Sequence, residues 1–173
     1  MATLRDTSWE AVAGWYDKLL EGEGTYQKEL ILPNLLRLMD LKKGHSVLDL
    51  ACGQGFFARE FAKLAGTVIG ADASKALITI AQKNSPNSLA FHVASADSLS
   101  FLKDRSVDKV AIVLALQNIE NVADVLRECA RVIKKGGSLY IVLNHPAFQK
   151  KAAGAGMKKK KNNTAGSINI FLS

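Results

Sequence analysis

The chain has 173 residues with 23 Lys+Arg against 16 Asp+Glu, a formal net charge of +7; that length suits one domain and is too short for two ordinary ones. With 48% hydrophobic and 23% charged residues, the composition excludes a disordered or collagen-like chain. Apolar runs such as Ala111 to Leu116 fall far short of the ~20 residues a membrane-spanning helix needs, so no membrane partner is expected.

In chain order, two helices come first. Ser8 caps a helix from Trp9 to about Leu20, with Trp9, Val12, Ala13 and Tyr16 on one face. A second is expected over Thr25 to Asp40, kinked or broken at Pro33. From Ser46 the pattern becomes strand, turn and helix, and then repeats. Val47 to Leu50 reads as a buried strand and Phe56 to Leu64 as the helix after it. Thr67 to Ala71 is a second strand, and Ser74 caps a helix reaching Lys83. Leu89 to Val93 and Val107 to Leu114 are the third and fourth strands, the latter apolar enough to be buried on both faces. Val122 to Ile133 reads as a helix closed by a glycine stop at Lys134-Lys135-Gly136-Gly137, with Ser138 to Leu143 as the fifth strand. Strands alternating with helices of this kind make a parallel sheet with right-handed crossovers.

After Phe148 the pattern gives way to Lys, Ala, Gly and Asn, a low-complexity tail over residues 149–173. Six of the 23 basic residues are Lys150, Lys151 and Lys158 to Lys161, which leaves residues 1–149 near neutrality at 17 against 16. The basicity is thus a property of the tail, and a nucleic-acid partner is not expected. Met1 to Asp6 lacks the apolar core of a secretory signal, and Cys52 and Cys129 are too few for a disulfide framework. A cytoplasmic location is the expectation.

The strongest chemical signal is Val47-Leu48-Asp49-Leu50-Ala51-Cys52-Gly53-Gln54-Gly55-Phe56-Phe57-Ala58. A strand ends in an acid, and a Gly-x-Gly turn, free of Cβ atoms, delivers the chain into a helix whose first N–H groups are unpaired. Gly53-x-Gly55-x-x-Ala58 also satisfies a loose dinucleotide fingerprint. Asp49 argues against it, because a carboxylate before the turn sits poorly beside a pyrophosphate and suits an ammonium or sulfonium. Asp72 ends the second strand, where a carboxylate accepts both hydroxyls of a ribose. Phe91 to Leu99 places a short polar cluster after the third strand, able to bond an adenine edge. A fourth segment runs from Ser106 through Leu114-Ala115-Leu116-Gln117-Asn118-Ile119.

With these motifs in this order, Trp9 to Phe148 resembles a class I S-adenosylmethionine-dependent methyltransferase of the methyltransferase type 11 kind. The resemblance implies a Rossmann-like α/β domain over residues 1–148, with N-terminal helices in 1–44 and the core in 45–148. It implies S-adenosylmethionine as cofactor, with Asp49, Gly53 and Gly55 at its methionine end and Asp72 at its ribose. Ala96 and Asp97 then lie beside the adenine and Leu114 near the sulfonium. Ala51, Phe56, Ala73, Leu77 and Ser95 complete the expected contacts, while Tyr16 and Tyr26 stand where helices ahead of the core close over the cofactor. Ala51 replaces the glycine many relatives carry, and Ser95 an acid. The Asn-Pro-Pro-aromatic motif of many nucleic-acid amino methylases is absent, and the acceptor expected is a small molecule.

His145, after the fifth strand, is the candidate general base. Neither His45 nor His92 has partners at metal-ligand spacing, so no metal is expected. The resemblance also implies a seven-stranded sheet, whereas this chain has room for about five strands. It therefore reads as a C-terminally truncated or frame-shifted member, with a one-base slip in the adenine-rich codons of Lys158 to Asn163 restoring a family-like continuation. A bare fifth strand is an edge that proteins rarely leave open, so Ser167 to Leu172 is expected to pair there, in this chain or in a second copy as a homodimer. Two other functions stay open: an inactive, truncated cofactor-binding domain, and an NAD-dependent oxidoreductase.

Overall fold

The computed structural model describes residues 25–144 and 168–172, which leaves the first expected helix, with Tyr16, and His145 outside the described residues. The helix expected over Thr25 to Asp40 forms in two windings. Gln27–Ile31 is a π-helical turn, and Leu32–Met39 is an α-helix, α1. The Leu32 N–H closes on the Gln27 carbonyl, five residues back. Pro33 follows in the first turn of α1, directly after the π-turn, and lacks the N–H that would bond back into it. The proline therefore changes the winding and leaves the rod continuous.

Six strands form one sheet: β1 Ser46–Leu50, β2 Thr67–Asp72, β3 Ala90–Val93, β4 Val107–Val113, β5 Ile133–Asn144 and β6 Ile168–Leu172, in the order β3-β2-β1-β4-β5-β6. The first five run parallel, as the alternation of strands and helices requires. The helices between them are α2 Phe56–Ala62, α3 Lys75–Lys83 and α4 Val122–Val132. β6 lies antiparallel on β5, with Tyr140 opposite Leu172 and Asn144 opposite Ile168. The expected pairing of the tail thus occurs within the chain. The edge of β5 is covered, and a homodimer through a bare fifth strand has no bare strand to use.

Side-chain alternation along the strands sorts the interior into two layers. Val47, Val68, Phe91, Ala111, Tyr140 and Val142 join α1 and the apolar faces of α2 and α3 on one side. Leu48, Leu50, Val110 and Ile112 meet Val125, Cys129 and Val132 of α4 on the other.

One expectation fails at the end of α4. No glycine stop is used: Ile133 is already extended (φ −72°, ψ 133°), and the helix passes directly into β5. Gly136, at φ 81°, instead serves a bulge inside β5, where the pairing jumps from Val107–Ile133 to Lys109–Ser138. Lys134, in this bulge, donates to Asp108 Oδ2 at 2.9 Å, and Asp108 also receives the Ser46 N–H and hydroxyl. Burial raises the Asp108 pKa, but these donors outweigh it and hold the carboxyl well below the usual range.

Candidate functional site

The site forms at the carboxyl ends of the strands, where an open parallel sheet leaves a crevice. After β1, Ala51, Gly53 and Gly55 all adopt left-handed backbone (φ 57°, 56° and 77°), folding the chain out of the strand and into α2. The Cys52 N–H donates to the Ala71 carbonyl and the Gly55 N–H to that of Cys52, both at 3.0 Å. Gly55 and Gly70 are required by packing as well. A Cβ on them would lie 2.9 and 2.5 Å from the Phe91 ring, which fills the space they leave.

Asp72 ties this turn to the next one. Its Oδ2 accepts the Gly53 N–H and its Oδ1 the Ser74 N–H, each at 2.9 Å. Burial pushes its pKa up against those two donors. Ser74 then caps α3, its hydroxyl accepting the Leu77 N–H at 3.3 Å.

Asp49 lies beneath the turn and not in the cleft wall. It is 1% exposed and accepts the Ala58 backbone N–H. Burial lifts its pKa to about 7; the Ala58 bond opposes this, the nearby Asp72 adds to it and Arg59 relieves it. Among the described residues, three buried side-chain polar atoms have no partner: Thr25 Oγ1, Asp49 Oδ2 and Gln54 Nε2.

A cleft of about 210 Å³ opens beside the turn. Of the expected residues, Ala51, Gly53, Asp72, Ala73, Leu77, Ser95, Ala96 and Leu114 line it. Asp49, Gly55, Phe56 and Asp97 do not; Asp97 instead receives the Ser95 hydroxyl. Tyr26 packs half-buried against the layer that holds α1, and it too is outside the lining. Ala94, Val113, Ala115, Asn118 and Ile119 also line the cleft and were missed, although Val113 ends β4 and the other four lie in the segments that follow β3 and β4. Leu114 is left-handed (φ 55°); its N–H is held by the Val142 carbonyl at 2.8 Å, and its own carbonyl accepts from Gln117 Nε2 at 2.7 Å.

The loop after Ala96 is held from a distance. Arg131 Nη2 donates to the Leu99 carbonyl and Nη1 to the Leu102 carbonyl, both at 2.9 Å. Glu128 accepts the Leu99 N–H at 2.7 Å while pairing with Arg131. The only local sign of this clamp is an acid and an arginine three residues apart on α4.

A larger hollow of about 820 Å³ lies at the amino ends of β4 and β5, lined by Arg105, Leu126, Ala130 and Lys134 among others. It is remote from the glycine turn and holds none of the orphaned polar atoms, so its size carries no functional weight. Cys52 is buried within the turn, its thiol pushed far up by burial and by Asp49 and Asp72, which makes it an inert filler. Among the described residues, no three His, Cys, Asp or Glu side chains are arranged to hold a metal ion.

Residues 48–141, more than half of the chain, match the family model described as a methyltransferase domain. The chain belongs to this family. The demethylmenaquinone methyltransferase of Chlorobaculum parvum is 31% identical over 139 residues, covering 78% of this chain and 57% of that protein. An S-adenosylmethionine dependent methyltransferase from Mesorhizobium loti superposes with a TM-score of 0.58 at 31% identity, over 65% of this chain and 53% of the other. The cyclase SpnF superposes with a TM-score of 0.69 at 20% identity, over 78% and 57%, a likeness of fold alone. The chain spans about half the length of the curated relatives it matches.

Proposed function

We propose that this chain is the cofactor-binding domain of an S-adenosylmethionine-dependent methyltransferase, and that its acceptor is a small-molecule nucleophile. The observation that carries the reading is the cleft beside the glycine turn, lined by the Asp72 carboxylate, with a second carboxylate, Asp49, buried beneath that turn. A dinucleotide would bring its pyrophosphate to two acids. A ligand bearing an ammonium and a sulfonium supplies the donor and the positive charge that the site lacks.

The residues present fit that cofactor. Asp72, in the cleft wall, retains acceptor capacity for ribose hydroxyls beyond its two backbone bonds, and Asp49 Oδ2 lies without a partner beneath the turn. Ala73, Ala94 and Ala96 keep the adenine side of the cleft shallow, while Val113, Leu114 and Ile119 make an apolar wall. When bound, S-adenosylmethionine supplies a methyl group on sulfur that is already activated for transfer. The work left to the chain is to bind, orient and exclude water. The left-handed turns at Ala51 and Leu114 set the backbone on two sides of the cleft, and the Arg131–Glu128 clamp steadies the loop on a third. His145 directly follows β5 and is proposed as the group that takes the acceptor's proton.

The acceptor class is supported by relatives such as the demethylmenaquinone methyltransferase, whose name specifies a small organic substrate. A cytoplasmic setting is supported by two free, buried cysteines. Among the described residues, no helix is long and apolar enough to cross a membrane. Calorimetry with S-adenosylhomocysteine and NADH tests the reading: the first is expected to bind and the second not. The reverse result overturns it. Binding without methyl transfer to any of a panel of phenols, quinols and amines would assign the chain to the inactive alternative.

A further inference from the structure

Two cleft-lining residues that lack a glycine's freedom, Ala51 and Leu114, are left-handed, and Leu114 carries the larger side chain (φ 55°). A leucine in that conformation costs free energy, so neighbouring bonds must hold it there. Leu114 follows the last residue of β4, and its N–H still bonds across to the Val142 carbonyl of β5 at 2.8 Å. Beyond it the chain enters a short 3₁₀ turn, Leu116–Asn118.

The backbone bonds of that turn run from the Asn118 N–H to the Ala115 carbonyl at 2.8 Å and from the Ile119 N–H to the Leu116 carbonyl at 3.1 Å. They start one residue beyond the Leu114 carbonyl. Gln117 reaches that carbonyl instead, its side-chain Nε2 donating at 2.7 Å. Gln117 is exposed and does not line the cleft, whereas Leu114 and Ala115 before it and Asn118 and Ile119 after it all do. Its side chain therefore ties the left-handed residue to the segment that carries Asn118 and Ile119. Water competes for an exposed bond of this kind, so its contribution to global stability is small and its use is local.

We propose that Gln117 is a positioning residue for the ligand cleft: its carboxamide holds Leu114 in the left-handed conformation and so fixes the wall that Leu114, Asn118 and Ile119 form. The role is exerted through the backbone, without contact to the ligand. The choice of ligand rests on the S-adenosylmethionine reading above, and the hold itself on the bond between Gln117 and Leu114.

The test is a cycle of four chains, the wild type, Gln117→Met, Leu114→Asn and the double variant, read by calorimetry with S-adenosylhomocysteine. Gln117→Met keeps the length and loses the donor; it is expected to weaken S-adenosylhomocysteine about 3- to 10-fold. Asparagine enters the left-handed region readily, so in the Leu114→Asn background the same change is expected to matter less than about twofold. No loss from Gln117→Met in the wild-type background overturns the proposal. Equal losses in the two backgrounds also overturn it, because Gln117 then acts by a route other than Leu114. Hydrogen exchange of the Asn118 and Ile119 amides, measured without ligand, reads the hold separately: Gln117→Met is expected to quicken it about 3- to 10-fold, and unchanged exchange overturns the proposal. If the wild type fails to bind S-adenosylhomocysteine while Gln117→Met still quickens exchange, the cofactor reading falls and the hold on Leu114 stands.

Discussion

Asp49→Asn isolates what it costs to bury a carboxylate under the glycine turn. Asp49 is 1% exposed, and burial lifts its pKa from 3.8 to about 7; the Ala58 N–H and Arg59 soften the effect and Asp72 deepens it. The unfolded chain releases this proton near pH 4, whereas the ligand-free native state holds it until about pH 7. Between those values the native state binds the extra proton, so stability falls as pH rises, by about 1.4 kcal/mol per unit, and levels off above pH 7. From pH 5 to pH 8 the loss through this one group is about 3 kcal/mol. Asparagine keeps an oxygen for the Ala58 N–H and carries no charge at any pH. Asp49→Asn is therefore expected to flatten that part of the profile and to be more stable than wild type by about 2–4 kcal/mol at pH 8. The same change removes the charged partner of a ligand ammonium and is expected to weaken S-adenosylhomocysteine about 10- to 100-fold. Urea unfolding of both proteins without ligand at pH 5, 6.5 and 8, with calorimetry at pH 8, reads both effects. Parallel stability profiles would refute the reasoning, since Asp49 would then ionise as freely in the native state as in the unfolded one.

Gly70→Ala puts a Cβ 2.5 Å from the Phe91 ring and 3.0 Å from Cys52 Sγ. It is expected to destabilise by about 1–3 kcal/mol in urea unfolding, with part of the loss recovered in combination with Phe91→Leu. Ala51→Gly relieves a left-handed alanine (φ 57°) and loosens the unfolded chain. Strain of about 1–2 kcal/mol against an entropy of about 0.4–1 kcal/mol predicts a net gain of about 0.5–1 kcal/mol, read as a higher urea midpoint. Arg131→Ala strips the Leu99 and Leu102 carbonyls of their donors and is expected to cost about 2–3 kcal/mol. Hydrogen exchange should quicken across 97–103 while the β1–β2 amides stay protected; unchanged exchange in that loop would show that the clamp does not hold it.

Much of the site was legible because its chemistry is local. The turn from Ala51 to Phe56 needs φ values that glycine supplies, and Ser74 announces the start of α3 through its own hydroxyl. Asp72 follows from strand length alone, since the last residue of β2 must reach the crevice. What escaped depends on partners far away in sequence. Gly136 is an ordinary helix stop by composition, and only the register of β5 against β4 turned it into a bulge. The clamp joins Arg131 to Leu99, 32 residues away, and no window of sequence contains both. The resemblance put Asp49 at the methionine end of the cofactor; packing on the α1 side of the sheet buries it beneath the turn, and that burial raises its pKa.

The strands and helices of the core, their parallel order and the glycine turn with its two acids are written locally in the chain, because hydrophobic period, caps and backbone freedom act over a few residues. It took packing to leave Asp49 a buried, unpartnered acceptor and Gln54 short of a partner for its donor, and to close the edge of β5 with β6. Burial and unmet hydrogen bonds are properties of the space between elements. That space exists only once the sheet and its helices have packed.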